Sequence, residues 1–532
     1  MYGKLNMNRA KKDMQAIDKC QAGGTENRSP ADQTFLVRAA VDHAKYLNKP
    51  LFLTLYDYSQ CFDSLWLSDC LLSLMKVGVE KEVVSILKKL NETCNIVVKT
   101  PAGVTEEFEM SSIVQQGSVS GGALCVASLA EILEEDLGKG FQIGAAILRA
   151  LAFVDDIATL SKNHIDAYIA HKSVEWFSSK KRLFLNALKC VLLCINVKAH
   201  DVIPRLKIGD IALDTVDTAT YLGDIFNTSG TNKELIEDRV KKGKACIVNA
   251  MSLCSEITMG LFIIDTLLLL YYCIFLAVVL YNAQAWSNLN ATNIQDLQVV
   301  QLKYLKRMLH APSSTSNPLT FIETGTLPVE NEIHIKQLNF LHHIITLEDG
   351  DPVKTTYYEQ VKYSFEPNWG NATLQLRLKY DISETDEEIG QVSKEKWKKI
   401  VKSKVRSCAF KELIDQALLQ KQSNNITLPS ELQKQEYMTK LPSANARKIF
   451  HIRTGTINLK ATRKYMYGDD TSCRLCEGNV EDINHVVNIC PAIPRETQLD
   501  VRSTECDELL EISKRCLIFD SKVDDKEKQC DD

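Results

Sequence analysis

The chain has 532 residues, room for roughly three or four domains of ordinary size, and its 45% apolar and 25% charged content is that of a globular protein. A formal net charge of -5 and a pI near 6.1 exclude a globally basic nucleic-acid binder, so any such binding rests on local patches. Seventeen Cys spread along the sequence, with no basic and apolar leader at its start, point to a reduced intracellular setting rather than a disulfide framework.

Residues 1 to 20 are polar and basic, and Gln21 to Pro30 reads as a loop on its Gly, Ser and Pro content. From Ala31 to Tyr46 apolar residues recur at helical spacing, and Pro50 ends the segment. Leu51 to Tyr56 is a short apolar strand leading into Asp57. Asp63 precedes the helical stripe Trp66, Cys70, Leu71, Leu74 and Met75, and is expected to cap that helix rather than do chemistry. Residues 95 to 99 and 104 to 110 pattern as a hairpin around Thr100-Pro101-Ala102-Gly103. The small-residue loop Gln115 to Gly122 has neither P-loop nor dinucleotide-fingerprint spacing, and offers only a place where a backbone or ligand can approach closely.

In Leu151 to Leu160 two adjacent carboxylates, Asp155 and Asp156, interrupt an apolar run short enough to be a strand pair with the acids at its turn. Such a turn suits a plain hairpin and also suits a metal-binding carboxylate pair, and its own residues leave both open. Ala167 to Leu183 is helical in pattern, Cys190 to Val197 is an apolar strand, and a further extended pair closes near Tyr221-Leu222-Gly223. This order of elements describes a mixed α/β domain whose sheet brings Asp57 and the Asp155-Asp156 turn to one edge.

Lys233 to Leu309 is strongly helical. Within it Leu267 to Tyr281 runs fifteen residues without a charge, short of the roughly 20 that a bilayer span needs, so a buried helix and no membrane are expected. Leu297, Val300, Leu302, Leu305 and Leu309 make an apolar helix face, with Lys303, Lys306 and Arg307 assigned to the other side. Asp381 to Glu388 reads as an acidic linker. Lys394 to Arg406 gathers seven cations around Trp397, Ile400 and Val401, a basic helix fit to hold phosphates or to serve as a solvated connector. Cys473, Cys476, His485 and Cys490 stand two, eight and four residues apart, and thiolates with imidazole at such range suit structural Zn²⁺. The charged tail after Cys506 is expected to be partly disordered.

The series Asp57-Tyr58-Ser59-Gln60-Cys61-Phe62-Asp63, Gln116-Gly117, Phe153-Val154-Asp155-Asp156, Leu185-Asn186-Ala187-Leu188-Lys189 and Tyr221-Leu222-Gly223 resembles, in order and spacing, palm motifs A to E of reverse transcriptases, in particular those of non-LTR (LINE-type) retrotransposons. The resemblance implies an α+β fold: a right-hand polymerase palm with partial fingers, a helical thumb and a small C-terminal CCHC zinc element. The expected divisions are partial fingers over 1–50, palm over 51–230, thumb over 231–350, a connector with the basic helix over 351–440, the zinc element over 441–500 and a charged tail over 501–532.

By the same resemblance the chain is an RNA-directed DNA polymerase using two Mg²⁺ ions held by Asp57, Asp155 and Asp156, with Asp57 and Asp155 as the bridging pair. Lys189 matches the lysine that serves as general acid for pyrophosphate, and Phe62 the aromatic that excludes a ribose 2′-hydroxyl. Gln116 and Gly117 match the contact to template and incoming base, Tyr221-Leu222-Gly223 the primer grip, and Arg28 is the one basic residue of its loop that stands as a candidate triphosphate contact. The implied partners are an RNA template, a DNA primer or target, and deoxynucleoside triphosphates, and the place of action is intracellular, in the nucleus when the substrate is chromosomal DNA. Two departures stand out: Gly121-Gly122 replaces the usual Ser-Pro, and nothing corresponds to the upstream fingers motifs or endonuclease of the family. An N-terminally truncated element is therefore expected, with a catalytically defective remnant that still binds nucleic acid as the alternative.

Overall fold

The computed structural model describes residues 14, 17–91, 93–111, 114, 120–199, 201–256, 263–363, 366–382, 384–420 and 427–531. Helix α1 (Pro30–Tyr46) opens with Ser29 and Asp32 in a reciprocal capping box and with Pro at its first turn, and it is buried on nearly every side. Strand β1 (Leu51–Tyr56) follows, buried at all six positions. After it come helix α2 (Leu67–Lys76), helix α3 (Gly121–Ala130), strands β2 (Ala150–Phe153) and β3 (Asp156–Ser161), and helix α4 (His164–Lys180). Strands β4 (Val191–Ile195) and β5 (Asp214–Thr215) complete a sheet of order β5-β4-β1-β3-β2. β1 lies antiparallel to both neighbours, with Leu55 opposite Ala158 on one side and Val191 on the other. A strand central to such a sheet has both faces covered, which is why it is apolar at every position but Thr54.

The two faces belong to separate cores. Leu51, Leu53 and Leu55 pack with α1, while Phe52 and Tyr56 pack with α3, α4 and α2. A hairpin, β6 (Thr218–Tyr221) and β7 (Asp224–Asn227), leads from the sheet into a helical region. That region contains α5 (Lys233–Glu256), α6 (Ala291–Met308), α7 (Asn317–Thr324), α8 (Val329–Thr346), α9 (Lys394–Leu418), α10 (Ser443–Arg453) and α11 (Cys506–Asp531). The mixed α+β class is as expected. Among the described residues no helix is long and apolar enough to cross a membrane, and Leu267, Tyr271, Phe275 and Val279 of the charge-free run are buried in the helical core.

Five expectations need correction. Asp63 does not cap α2: it lies within a separate one-turn helix, Cys61–Ser64, and the residue at the N-cap of α2 is Trp66, whose exposed indole lies under the Arg182 guanidinium at 4.2 Å. The helical region is not continuous, since a break from Leu280 to Asn290 includes Asn282 and Asn288 at positive φ. Lys306 is not on a solvated basic face. It is buried, its Nζ donating to the carbonyls of Ser313 (2.7 Å) and Thr315 (2.6 Å) and to Asn317 Oδ1 (2.7 Å), where it pins the turn into α7. The acidic segment is only partly a linker: Thr385 and Glu388 form a capping box that starts a helix over Asp386–Gln391, with Ile389 buried.

The tail is the fifth. It folds as α11, in which Leu509, Ile512, Cys516, Phe519 and Val523 recur at three- and four-residue steps and are all buried. High charge hid this stripe, because the charges occupy the faces between its apolar positions. Arg515 is inside as well, its Nη1 donating to the carbonyls of Val487 and Thr497, each at 2.9 Å.

Candidate active site

β1 ends at Tyr56, opposite Ile157 at the start of β3, so Asp57 and the Asp155-Asp156 turn come out on the same edge of the sheet. Asp57 is fixed by its backbone. Its carbonyl accepts from the Asn186 amide at 2.8 Å, and its own amide meets the buried Cys190 Sγ at 3.4 Å. Those bonds also draw the 185–190 segment alongside, which puts Lys189 Nζ at 3.4 Å from Asp57 Oδ2. The structure thus brings Asp57, Asp155, Asp156 and Lys189 together.

The two adjacent acids project to different sides. Asp156 and Asp57 line a cavity of about 310 Å³ together with Lys189, Thr218, Tyr221 and Leu222. Asp155 is on the side where its charge reaches Tyr58, Cys61 and Cys125. Burial and the charge of Asp57 together push the Asp155 carboxyl up. Asp156 goes up further, to about 6, from burial and then from the charges of Asp155 and Asp57. Asp57, Asp155 and Asp156 gathered at one edge are a donor set suited to a divalent cation, whose oxygen ligands they would be.

Phe62 is half-buried beside the site, packed against the core of α2, α3 and α4, so it is a core residue with one side free. The Tyr221-Leu222-Gly223 turn walls the cavity, with Leu222 at φ 48. Arg28 does not have the free guanidinium that a triphosphate contact needs. It is buried in ion pairs with Asp351 and, at 3.6 Å, with Asp32, and holds the first loop against α1 and the N-terminus of the helix Pro352–Lys362. Gln116 and Gly117 lie outside the described residues.

Val154 has φ 58, a left-handed conformation that a β-branched residue adopts only under restraint, at a cost on the order of 1–3 kcal/mol. The restraint comes from a segment that reads as a featureless loop. Gln21 pairs with Ala152 as a short parallel extension of β2, and its side-chain Oε1 accepts from the Val154 amide at 2.9 Å. Gly23 lies so close that a Cβ there would be 2.3 Å from the Val154 nitrogen. Sequence reasoning passed over both residues. The one signal available was the pair of glycines, which marks a close approach without saying to what.

The second constellation lies far along the chain. A short bridge between Ser472 and Val480 folds Cys473 and Cys476 back toward a π-helical turn, His485–Ile489, and Cys490 follows it. The ligand atoms of Cys473, Cys476, His485 and Cys490 all lie within 4.8 Å of one another. Cys473 and Cys490 Sγ are 3.9 Å apart, which is no disulfide and is close to the edge, about 3.8 Å, of a tetrahedron with 2.3 Å metal–sulfur bonds. His485 Nε2 faces Cys476 Sγ at 3.3 Å. Burial pushes the Cys476 thiol up, but the amides of Gly478 and Asn479, with the neighbouring thiols, outweigh it and hold the thiol below its ordinary value. The cluster is braced from outside by Glu481, wholly buried, whose carboxylate accepts from Arg474 Nη2 at 2.8 Å.

Residues 3–226 match the family described as reverse transcriptase (RNA-dependent DNA polymerase). The retrovirus-related Pol polyprotein from type-1 retrotransposable element R2 of Popillia japonica is 26% identical over 191 residues, which are 34% of this chain and 27% of that protein. Among solved structures, telomerase from Candida albicans in complex with the TWJ fragment of telomeric RNA is 13% identical, with a TM-score of 0.35 over 74% of this chain and 57% of that one. Apo telomerase from Candida Tropicalis is 14% identical, with a TM-score of 0.35 over 76% of this chain and 60% of that one. The sheet and its carboxylate edge lie within the stretch that matches the reverse transcriptase family. The stretch that matches the R2 polyprotein spans about a quarter of that protein's length.

Proposed function

We propose that this chain is an RNA-directed DNA polymerase that extends a DNA primer on an RNA template with deoxynucleoside triphosphates. The observation that carries this reading is the convergence of Asp57, Asp155 and Asp156, from two separate parts of the chain, on one sheet edge with Lys189 beside them. In this reading residues 51–230 are the palm, 1–50 partial fingers and the helices from α5 to α8 the thumb. Two divalent ions, when bound, activate the primer 3′-hydroxyl and offset the charge that develops on the departing pyrophosphate. Asp57, Asp155 and Asp156 would hold those ions. Lys189, beside Asp57, would donate a proton to the leaving phosphate. Phe62 limits the space beside the sugar, and the β6–β7 turn supports the primer end. The exposed lysines of α9 are available to phosphates, with a salt dependence that follows their number.

The C-terminal element holds one structural Zn²⁺ through Cys473, Cys476, His485 and Cys490 in this proposal. Its donor set and spacing support that assignment. Primer extension on an RNA template with Mg²⁺, comparing the full chain with Asp155→Ala, tests the activity. Extension by the parent and loss of at least about 1,000-fold in the variant is the expected result. Equal, absent extension in both with RNA binding retained would replace the polymerase by a nucleic-acid-binding remnant.

A further inference from the structure

We propose that Gln21 is a positioning residue for the metal-binding carboxylates: its carboxamide holds the backbone bend at Val154 from which Asp155 and Asp156 project. This rests on the polymerase reading and adds to it a residue from outside the carboxylate motifs.

The β2–β3 hairpin pairs Phe153 with Asp156, which leaves Val154-Asp155 as a two-residue loop. Such loops ordinarily place Gly where φ is positive, because a side chain strains that conformation. Here the position is Val154, at φ 58, and no local residue relieves it. The hold is supplied from 133 residues away: Gln21 Oε1 accepts from the Val154 amide at 2.9 Å, and Gln21 Nε2 donates to the Val154 carbonyl at 3.4 Å. Both backbone groups of the bent residue are thus bonded to one side chain. The same Oε1 accepts from the Gly23 amide at 2.9 Å, so the carboxamide is aimed by the segment that carries it.

That segment is itself stitched to the sheet. Ala22 N donates to the Ala152 carbonyl and Ala152 N to the Cys20 carbonyl, each at 2.9 Å. A second carboxamide, Gln33 of α1, donates to both Cys20 O (2.7 Å) and Ala152 O (3.1 Å). Gln21 is fully buried, and every hydrogen bond its side chain makes goes to the Val154 bend or to Gly23. Its chemistry also fits the place. A neutral carboxamide supplies a donor and an acceptor without adding charge beside three carboxylates, where a lysine would compete with a cation and a carboxylate would add to the repulsion.

Mn²⁺ binding, read by electron paramagnetic resonance on the full chain loaded with primer and template, tests the proposal alongside thermal unfolding. Four variants are compared with the parent: Gln21→Met, which keeps volume, Gln21→Glu, which keeps the Oε acceptor, Gly23→Ala, which presses on Val154, and Asp155→Asn. Gln21→Met is expected to weaken Mn²⁺ binding about 10- to 100-fold with its melting transition preserved, as for loss of an outer-shell support. Gln21→Glu, which keeps the acceptor but loses the donor and adds charge, is expected to recover only part of that loss, and Gly23→Ala to share its sign. Parent-like binding in Gln21→Met overturns the proposal, as does a loss matched by an equal drop in folded fraction. Should Gln21→Met fail to fold, unchanged binding in Gly23→Ala overturns it instead. A parent that binds no more Mn²⁺ than Asp155→Asn defeats the metal reading itself, a result distinct from either.

Discussion

Asp156 carries a cost that the site exists to have removed. Its carboxyl is raised from 3.8 to about 6 by burial and by the charges of Asp155 and Asp57, so the folded state holds a proton over a range where the unfolded chain has released it. The stabilisation this gives is complete below 3.8 and is lost as pH rises through 6. Without divalent cations, Asp156→Asn is therefore expected to melt higher than the parent at pH 7.5, with the difference shrinking as pH falls from 6 toward 4 in a thermal-shift series. On the proposed metal role, Mg²⁺ is expected to stabilise the parent more than the variant in the same series. Lys306 makes the opposite case, a cation whose value is structural: Lys306→Met leaves three acceptors unpaired, that of Thr315 buried, and is expected to cost about 1–3 kcal/mol in denaturant unfolding, while RNA affinity and its salt slope stay as in the parent. The two residues were unequally legible. An acid that interrupts an apolar run announces itself, and Asp57, Asp155 and Asp156 could be read that way. Lys306 differs from its exposed neighbours Lys303 and Arg307 only in what α7 brings against it.

At the scale of elements, sequence periodicity located β1, α1, α4 and the carboxylate hairpin, because each buries a continuous face and shows it in its spacing. It failed at α11, where composition was weighed before period. Phe519, wholly buried between the Cys/His element and α10, is the residue on which that helix closes, and Phe519→Ala is expected to destabilise the C-terminal region by about 3–5 kcal/mol. Proteolysis after the substitution should release fragments ending near residue 505, and an intact chain under the same conditions would show that the tail contributes nothing. The segment from Cys20 to Gly23 failed for another reason. Its bonds run to β2, over a hundred residues away, and no local pattern records a partner at that range.

Over the whole molecule the helices expected to form the thumb share a core with the C-terminal Cys/His element. The Cys/His element, α10 and α11 are buried in one cluster with α5, α6 and α7. Metal removal is accordingly expected to act beyond the element: a chelator strong enough to strip zinc should lower the melting temperature of the helical region as one transition, and Cys476→Ser should reproduce it without chelator. A separate low-temperature transition, with the remainder unchanged, would show the element to be independent. Two helices carry the connection onward to the sheet. α8 places Val329 and Ile333 in the helical core and Leu338, Leu341 and Ile344 in the core under β1, while α9 does the same in reverse order with Trp397, Val401 and Val405, then Ala409, Leu413 and Ala417. Each works as a through-bolt rather than a hinge pin. Widening the space between sheet and helices is then expected to flex two continuous rods or to pull Trp397 from its stack on His342.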